Sequence, residues 1–296
     1  DLHFALSHDV DWIGLSFVRN AQDIVALKAI IQESGKHAKV VAKIEKPAAI
    51  SRLEEIVELS DGIMVARGDL GVELNPEEVP PLQKRIVETA RRQGKPVVVA
   101  TQMLESMIEA PTPTRAEVSD VANAVLDGTD AVMLSAESAA GRFPLETIEE
   151  MAKICVEAEK TEYADLEADF TGKTFMRIDQ SIAMGALFTA HHLGCKAIVA
   201  LTESGSTALW MSRHRIHIPI YALTTQQSTQ RKMALYRNVR PLLMDTSADR
   251  DTALAQAEAH LKSRGIMQAG DVYAITCGEP MGSPGGTNML KICKVA

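Results

Sequence analysis

Lys43 and Glu45 stand two residues apart at the end of the apolar run Val40-Val41-Ala42. In an extended strand, residues i and i+2 share a face, so the ammonium and the carboxylate point together while Ile44 points the other way. Taken alone, such a pair is also what a structural salt bridge looks like. A second apolar run, Gly62–Ala66, ends in Arg67-Gly68-Asp69 and brings another carboxylate to the neighbouring strand end. Two carboxylates with a lysine beside them suit Mg²⁺ (or Mn²⁺), a hard ion that takes few protein ligands and completes its shell with water and substrate oxygens. An ammonium next to such an ion stabilises charge developing on oxygen, as in an enolate or a phosphoryl group in transfer. The turn opened by Gly68 and Asp69 offers backbone N–H groups to a substrate carboxylate. Thr101 follows the run Pro96–Ala100, where its hydroxyl can pass a proton to a carbon centre; the plainer reading is a hydroxyl that caps the next segment.

These residues need a scaffold that loads one rim. From residue 10 to about 150, short apolar runs alternate with amphipathic stretches. The runs are Trp12–Leu15, Lys39–Ala42, Gly62–Ala66, Pro96–Ala100 and Ala131–Leu134. They are apolar on both faces, as parallel strands buried on two sides must be. Helical patterns over Ala21–Gly35, Pro47–Leu59, Val79–Gln93 and Arg115–Leu126 separate them. Polar groups follow the runs in order: Ser16, then Lys43 and Glu45, then Arg67-Gly68-Asp69, then Thr101-Gln102, then Ser135 and Glu137. A doubly wound sheet would carry a Gly-rich turn after its first strand and gather ligand groups at one switch point. Successive strands loading one rim fit a (β/α)8 barrel, of which these would be the last five strands.

The 296 residues carry 31 Lys+Arg against 39 Asp+Glu, a net charge of −8, with 46% hydrophobic residues. The length suggests about two domains, and the charge argues against a nucleic-acid binder or an anionic-membrane binder. No apolar run reaches membrane-spanning length. Cys155, Cys195, Cys277 and Cys293 lack metal-ligand spacing, which predicts reduced thiols in a cytoplasmic protein. The sequence opens directly in a helical pattern without an initiator Met, and five strands cannot close an eight-stranded barrel, so a C-terminal fragment of a longer chain is expected. The acidic stretch Glu157–Arg177 reads as a boundary. The predicted organisation is a partial barrel over 1–157, a linker or helix over 158–177, and a smaller open α/β sandwich domain over 178–296. In that last part, strands are predicted at Ala197–Leu201, Pro219–Leu223, Val239–Met244, Val272–Thr276 and Met289–Val295, the final pair antiparallel because no helix fits between them.

A second chemical motif lies there. Thr202-Glu203-Ser204-Gly205-Ser206-Thr207 opens a helix after a strand, a setting suited to a phosphate and equally to simple N-capping. A glycine-rich loop, Gly278–Asn288, follows another strand end. The paired histidines His191-His192 read as surface or core residues of a helix, and the basic stretch Arg213–His217 as a solvated helix end, with an effector role as the lesser alternative.

Several of these motifs resemble pyruvate kinases. They are Lys43-Ile44-Glu45, Met64-Val65-Ala66-Arg67-Gly68-Asp69-Leu70-Gly71, Ala100-Thr101-Gln102-Met103-Leu104-Glu105-Ser106-Met107, Pro113–Val125 and Met133-Leu134-Ser135-Ala136-Glu137-Ser138. The resemblance runs over essentially the whole chain. It implies phosphoryl transfer from phosphoenolpyruvate to ADP, giving pyruvate and ATP, with Mg²⁺ and K⁺, in a homotetramer. Carried over by position, Lys43 stabilises the transferring phosphoryl group and the enolate, and Glu45 and Asp69 bind Mg²⁺. Gly68, Asp69 and Thr101 bind substrate, and Thr101 and Ser135 lie on the proton path. The family's K⁺ ligands, a phosphate-binding Arg and a lid domain are not in these residues, so no kinase activity is expected of this chain alone. The Thr202–Thr207 motif and the glycine-rich loop resemble the family's sugar-phosphate effector pocket, with Thr202, Ser204, Gly205, Ser206 and Thr207 as its residues. Members that respond to fructose 1,6-bisphosphate carry a basic or neutral residue where this chain has Glu203, so a sugar monophosphate or AMP is the expected effector of what resembles a bacterial-type enzyme. The competing readings are another Mg²⁺-enolate barrel and a noncatalytic sugar-phosphate-binding or assembly module.

Overall fold

The computed structural model describes residues 1–161, 175–245, 249–283 and 285–296. Its contacts divide the chain into two compact units, Asp1–Glu162 and Tyr163–Ala296. Most of the expected linker, 162–174, lies outside the described residues.

In the first unit, strands β1 (Trp12–Leu15), β2 (Lys39–Ile44), β3 (Gly62–Ala66), β4 (Val97–Ala100) and β5 (Ala131–Met133) form one sheet in the order β1-β2-β3-β4-β5. Every pairing is parallel, with Ile13 opposite Val40, Lys43 opposite Met64 and Val65 opposite Val99. The order never reverses, so this sheet has no switch point, and a ligand site must spread along its rim. Val40, Ala42, Ile44, Ile63, Val65, Val97 and Val99 bury one face against Ile24, Leu27 and Ile31 of α2 (Ala21–Glu33), together with Ile56, Ile86, Val87, Val121 and Ala124. The expected helix over 47–59 is two, α3 (Pro47–Ser51) and α4 (Leu53–Leu59), jointed at Arg52, whose backbone at φ −119°, ψ 25° belongs to neither. The helix α1 (Leu2–Ser7) buries Leu6 and leaves Phe4 exposed.

The remaining helices of this unit are α5 (Arg67–Glu73), α6 (Val79–Arg92), α7 (Arg115–Leu126), α8 (Ala136–Ala139) and α9 (Pro144–Lys160). The N-cap of α7 is Thr114, whose hydroxyl and amide share a capping box with Glu117. The Glu117 carboxylate also accepts the amide and hydroxyl of Ser106 at 2.7 and 2.5 Å. Burial pushes this carboxyl up, but the hydrogen bonds from Ser106 and Thr114 outweigh it and hold its pKa below the ordinary 4.5.

In the second unit, β6 (Ala197–Leu201), β7 (Ile220–Thr224), β8 (Val239–Leu243), β9 (Val272–Gly278) and β10 (Thr287–Lys294) form a sheet in the order β10-β9-β6-β7-β8. The pair β9–β10 is antiparallel and the rest are parallel. The chain builds outward from β6 to β8, then returns to the other side of β6 at β9. That reversal puts a switch point between the ends of β6 and β9. Two apolar cores flank the sheet. One holds Leu187, Ile198, Ala200, Met211 and Met233, with α10 (Ile178–Leu193), α11 (Ser206–Ser212) and α12 (Gln227–Met233). The other holds Val199, Leu223, Leu254, Leu261 and Ile275, with α13 (Arg250–Ser263). No helix among the described residues is long and apolar enough to cross a membrane.

Candidate functional site

Apolar strands cannot satisfy polar groups along their length, so the polar side chains of the first unit collect where each strand ends. At the first two ends, Lys43 Nζ pairs with Glu45 Oε1 and donates to Ser16 Oγ at 3.0 Å. The other oxygen of Glu45 accepts the Phe17 amide at 2.7 Å. Glu45 is 1% exposed and the Lys43 side chain 26%, so the ammonium is the wet end of a buried pair. The Lys43 stem passes Gly14, where an added Cβ would lie 3.8 Å from its Cδ. Just beyond, Lys46 donates to Glu73 of α5 at 2.5 Å and lies over the Phe17 ring.

Thr101 adopts φ +69° and Gln102 φ +54°. Non-glycine residues rarely enter the left-handed region, at a cost of about 1–3 kcal/mol each. Phe17 does the same at +58°. Three of the five such residues described therefore sit on this rim, where strain is expected at a working site. Arg67, 9% exposed, holds the turn. Its Nη2 donates to Thr101 O at 2.8 Å and Gln102 O at 3.0 Å and contacts Met103 Sδ at 2.9 Å. Its Nη1 reaches Asp120 Oδ2 on α7 at 2.5 Å. Reading the sequence placed Arg67 at the rim but gave it no role. The available signal was a guanidinium directly after an apolar strand, where it must find several acceptors or stay unpaired.

The Gly68 amide, expected to face a substrate carboxylate, donates to Thr101 Oγ1 at 2.7 Å, and that hydroxyl donates to Ala100 O at 2.6 Å. The two expected substrate groups are thus joined to each other. A Cβ on Gly68 would come within 3.2 Å of the same oxygen, so glycine permits the approach. Asp69 lies in the first turn of α5. No hydrogen bond or ion pair among the described residues joins it to Lys43, Glu45 or Thr101. Ser135 ends the stretch after β5, with its amide on Glu137 Oε2 at 2.7 Å. Behind the turn, Arg67, Gln83, Lys84, Gln102, Asp120 and Asp127 help line a cavity of about 590 Å³.

No group of three or more His, Cys, Asp or Glu side chains that could hold a metal occurs among the described residues. The expected ligands are Glu45, just after β2, and Asp69, in α5 after β3, both hard carboxylates. That set fits a Mg²⁺ site, in which substrate and water oxygens complete the shell. It does not fit a closed structural metal centre, which takes four protein ligands.

In the second unit, the loops after β6 and β9 meet at the switch point. Thr202, Glu203, Gly278, Met281, Ser283 and Thr287 help line a crevice of about 20 Å³, room for no more than a water. Gly205 caps α11 at φ +81°, and its absent Cβ would lie 2.9 Å from Met233. Its amide donates to Thr202 Oγ1 at 2.9 Å, and the Ser204 and Ser206 hydroxyls are 3.2 Å apart. The Thr207 hydroxyl, buried, bonds that of Thr287 at 2.7 Å and so anchors the start of the helix to β10. Glu203 Oε2 accepts the Thr225 hydroxyl at 3.1 Å at the edge of this cluster.

Residues 1–148 match the family profile of the pyruvate kinase barrel domain, and residues 180–293 that of the pyruvate kinase alpha/beta domain. Similar proteins include the pyruvate kinase of Methylorubrum extorquens, 46% identical over all of this chain and 61% of that protein. The pyruvate kinase of Buchnera aphidicola from Acyrthosiphon pisum is 44% identical over all of this chain and 62% of its own length. Pyruvate kinase II of Salmonella typhimurium is 42% identical, with 62% of it covered. The chain thus spans about three fifths of the length of these relatives.

Proposed function

This chain belongs to the pyruvate kinase family, and from that membership and the geometry of its rim we propose that it takes part in moving the phosphoryl group of phosphoenolpyruvate to ADP. The observation that carries the reading is the Lys43 ammonium, held by Glu45 and Ser16 at the end of β2. In the reaction, the bond between phosphorus and the enol oxygen breaks and a bond to the terminal phosphate oxygen of ADP forms. Lys43 offsets the charge on the transferring group and then on the enolate oxygen. Gly68, Asp69 and Thr101 orient the substrate carboxylate, and the Gly68–Thr101 bond opens to admit it. The enolate then takes a proton at its terminal carbon and becomes pyruvate. Thr101 delivers that proton and Ser135 relays its replacement from water. Glu45 and Asp69 would hold Mg²⁺ (or Mn²⁺), which when bound supplies positive charge against the phosphoryl oxygens. K⁺, a homotetrameric assembly and a cytoplasmic setting complete the proposal, the last in keeping with four cysteines that form no disulfide among the described residues.

The complete gene product is expected to form pyruvate in a coupled assay that depends on phosphoenolpyruvate, ADP and Mg²⁺; absence of that activity removes the reading. The 296 residues alone are expected to show none, because β1 and β5 are unpaired on their outer sides among the described residues and the rim is built on one side only. Normal turnover by the isolated chain would refute that part.

The switch-point loops are proposed as an effector site, with the hydroxyls of Thr202, Ser204 and Ser206 and the amide of Gly205 around one phosphate and Thr207 anchoring the helix beneath. The 20 Å³ crevice requires the glycine-rich loop to move aside. A second phosphate would meet the Glu203 carboxylate. AMP or ribose 5-phosphate is therefore expected to activate at concentrations at least tenfold below fructose 1,6-bisphosphate; a tighter response to the bisphosphate defeats the assignment.

A further inference from the structure

Lys46 and Glu73 are bonded across two neighbouring strand ends, and each is tied to one of the expected metal ligands. In β2 and β3, Ile44 lies opposite Val65, and Lys46 and Arg67 each follow that pair by two residues. Lys46 comes directly after Glu45 and precedes α3 with extended backbone, at φ −124° and ψ 143°. Its ammonium donates to Glu73 Oε1 at 2.5 Å and lies 5.5 Å from the centre of the Phe17 ring. Phe17 in turn gives its amide to Glu45 Oε2. Glu73 is the last residue of α5 and stands one turn beyond Asp69, on the same helix face. The start of α5 is pinned to the Thr101 turn through Gly68 and Arg67, and buried Leu70 anchors its middle. Its far end is held by Lys46.

We infer that the Lys46–Glu73 pair is a positioning clamp: it sets the spacing of Glu45 and Asp69, and with it the preference of the site for Mg²⁺ over a larger dication. The inference rests on the phosphoryl-transfer reading above and on its assignment of those two carboxylates. The paired side chains are 30% and 37% exposed, and ion pairs so open to water add little to stability. An ammonium near a cation site weakens cation binding by charge alone, so its contribution here is through geometry. Mg²⁺ demands near-octahedral ligands at about 2.0–2.1 Å, whereas Ca²⁺ accepts about six to eight oxygens at roughly 2.3–2.6 Å in flexible arrangements. A loosened α5 lets Asp69 draw away from Glu45, which the larger ion tolerates and the smaller one does not.

The test titrates the complete gene product with Mn²⁺ in the presence of phosphoenolpyruvate and without ADP, so that no turnover occurs. Free Mn²⁺ is read by electron paramagnetic resonance, and Mg²⁺ and Ca²⁺ are then added as competitors. Charge acts alike on two dications, so the ratio of their affinities reports geometry. A partner bonded directly to a metal ligand is worth about 10–100-fold in affinity, and a pair acting from one helical turn away is expected to give less. In Lys46→Met and in Glu73→Gln the ratio of Mg²⁺ to Ca²⁺ affinity should fall about fivefold, equivalent to about 1 kcal/mol, while urea midpoints stay near wild type. The exchanged pair, Lys46→Glu with Glu73→Lys, should bring the ratio back to within about twofold of wild type. A ratio unchanged in both single variants overturns the inference, and so does a loss that the exchange fails to repair. Opposite shifts of absolute affinity in the two single variants at constant ratio would show that charge alone links the pair to the site. A wild-type protein that binds none of the three ions removes the metal assignment and the clamp together, whereas normal discrimination by wild type with unchanged single variants removes the clamp alone.

Discussion

Replacing Lys43 with methionine is expected to lower kcat for pyruvate formation about a thousandfold in the complete gene product, since one preorganised donor aimed at developing charge is worth roughly 10²–10³ in rate and an ammonium more than a neutral donor. The KM for phosphoenolpyruvate should move only a few-fold, because Gly68, Asp69 and Thr101 still hold the carboxylate. The substitution also strands Glu45, which is 1% exposed and among the described residues keeps only the Phe17 amide as partner. Breaking a fully buried pair costs about 3–5 kcal/mol, and the partial exposure of Lys43 places this one at about 3 or below. The double variant Lys43→Met with Glu45→Gln removes the stranded charge. It should recover much of the urea midpoint and none of the activity. Steady-state kinetics and urea unfolding measured side by side separate the two effects, and a single variant within threefold of wild-type kcat would remove Lys43 from the chemistry.

The second large effect is expected at Arg67. Arg67→Lys keeps the charge but loses the planar fork that reaches Thr101, Gln102 and Asp120 at once. A buried carbonyl left without its donor costs about 1–3 kcal/mol, and the Thr101 and Gln102 carbonyls are only partly buried, so thermal unfolding should shift down by the equivalent of about 1–2 kcal/mol. The turn is also held in a region its residues avoid, so it should relax when released, and kcat should fall about a hundredfold. Glycine accepts φ +54° without strain. Gln102→Gly should therefore stabilise wild type, where the guanidinium keeps the turn at that angle, more than it stabilises the Arg67→Lys variant, where the turn has relaxed. Equal stabilisation in both backgrounds would mean that the guanidinium does not restrain the turn.

How much of this was legible beforehand depended on the range of the interaction. The Lys43–Glu45 pairing followed from the period of a strand, a local rule, and the order of polar strand ends followed from strand length and burial. The antiparallel β9–β10 pair followed from the absence of room for a helix. The left-handed Thr101–Gln102 turn carries no local signal, since neither residue favours that region and the arginine that bonds it lies 34 residues earlier. The bond between Gly68 and Thr101 was equally hidden: the sequence placed both on the rim but not facing each other. At Thr207 the hydroxyl was read as open to a ligand, while the partner it bonds lies 80 residues on. The break at Arg52 is a backbone detail that the apolar spacing does not encode.

Each neighbouring pair of strand ends in the first unit is laced to the next. Ser16 and Phe17 bind Lys43 and Glu45, Lys46 binds Glu73, Gly68 and Arg67 bind the Thr101 turn, and Glu137 binds Leu104 and Ser135. Positions joined in this way seldom contribute independently. An inherited change at one stitch alters what its neighbours can tolerate, so lineages should replace these residues in linked sets, or leave them alone, while the helices outside drift freely.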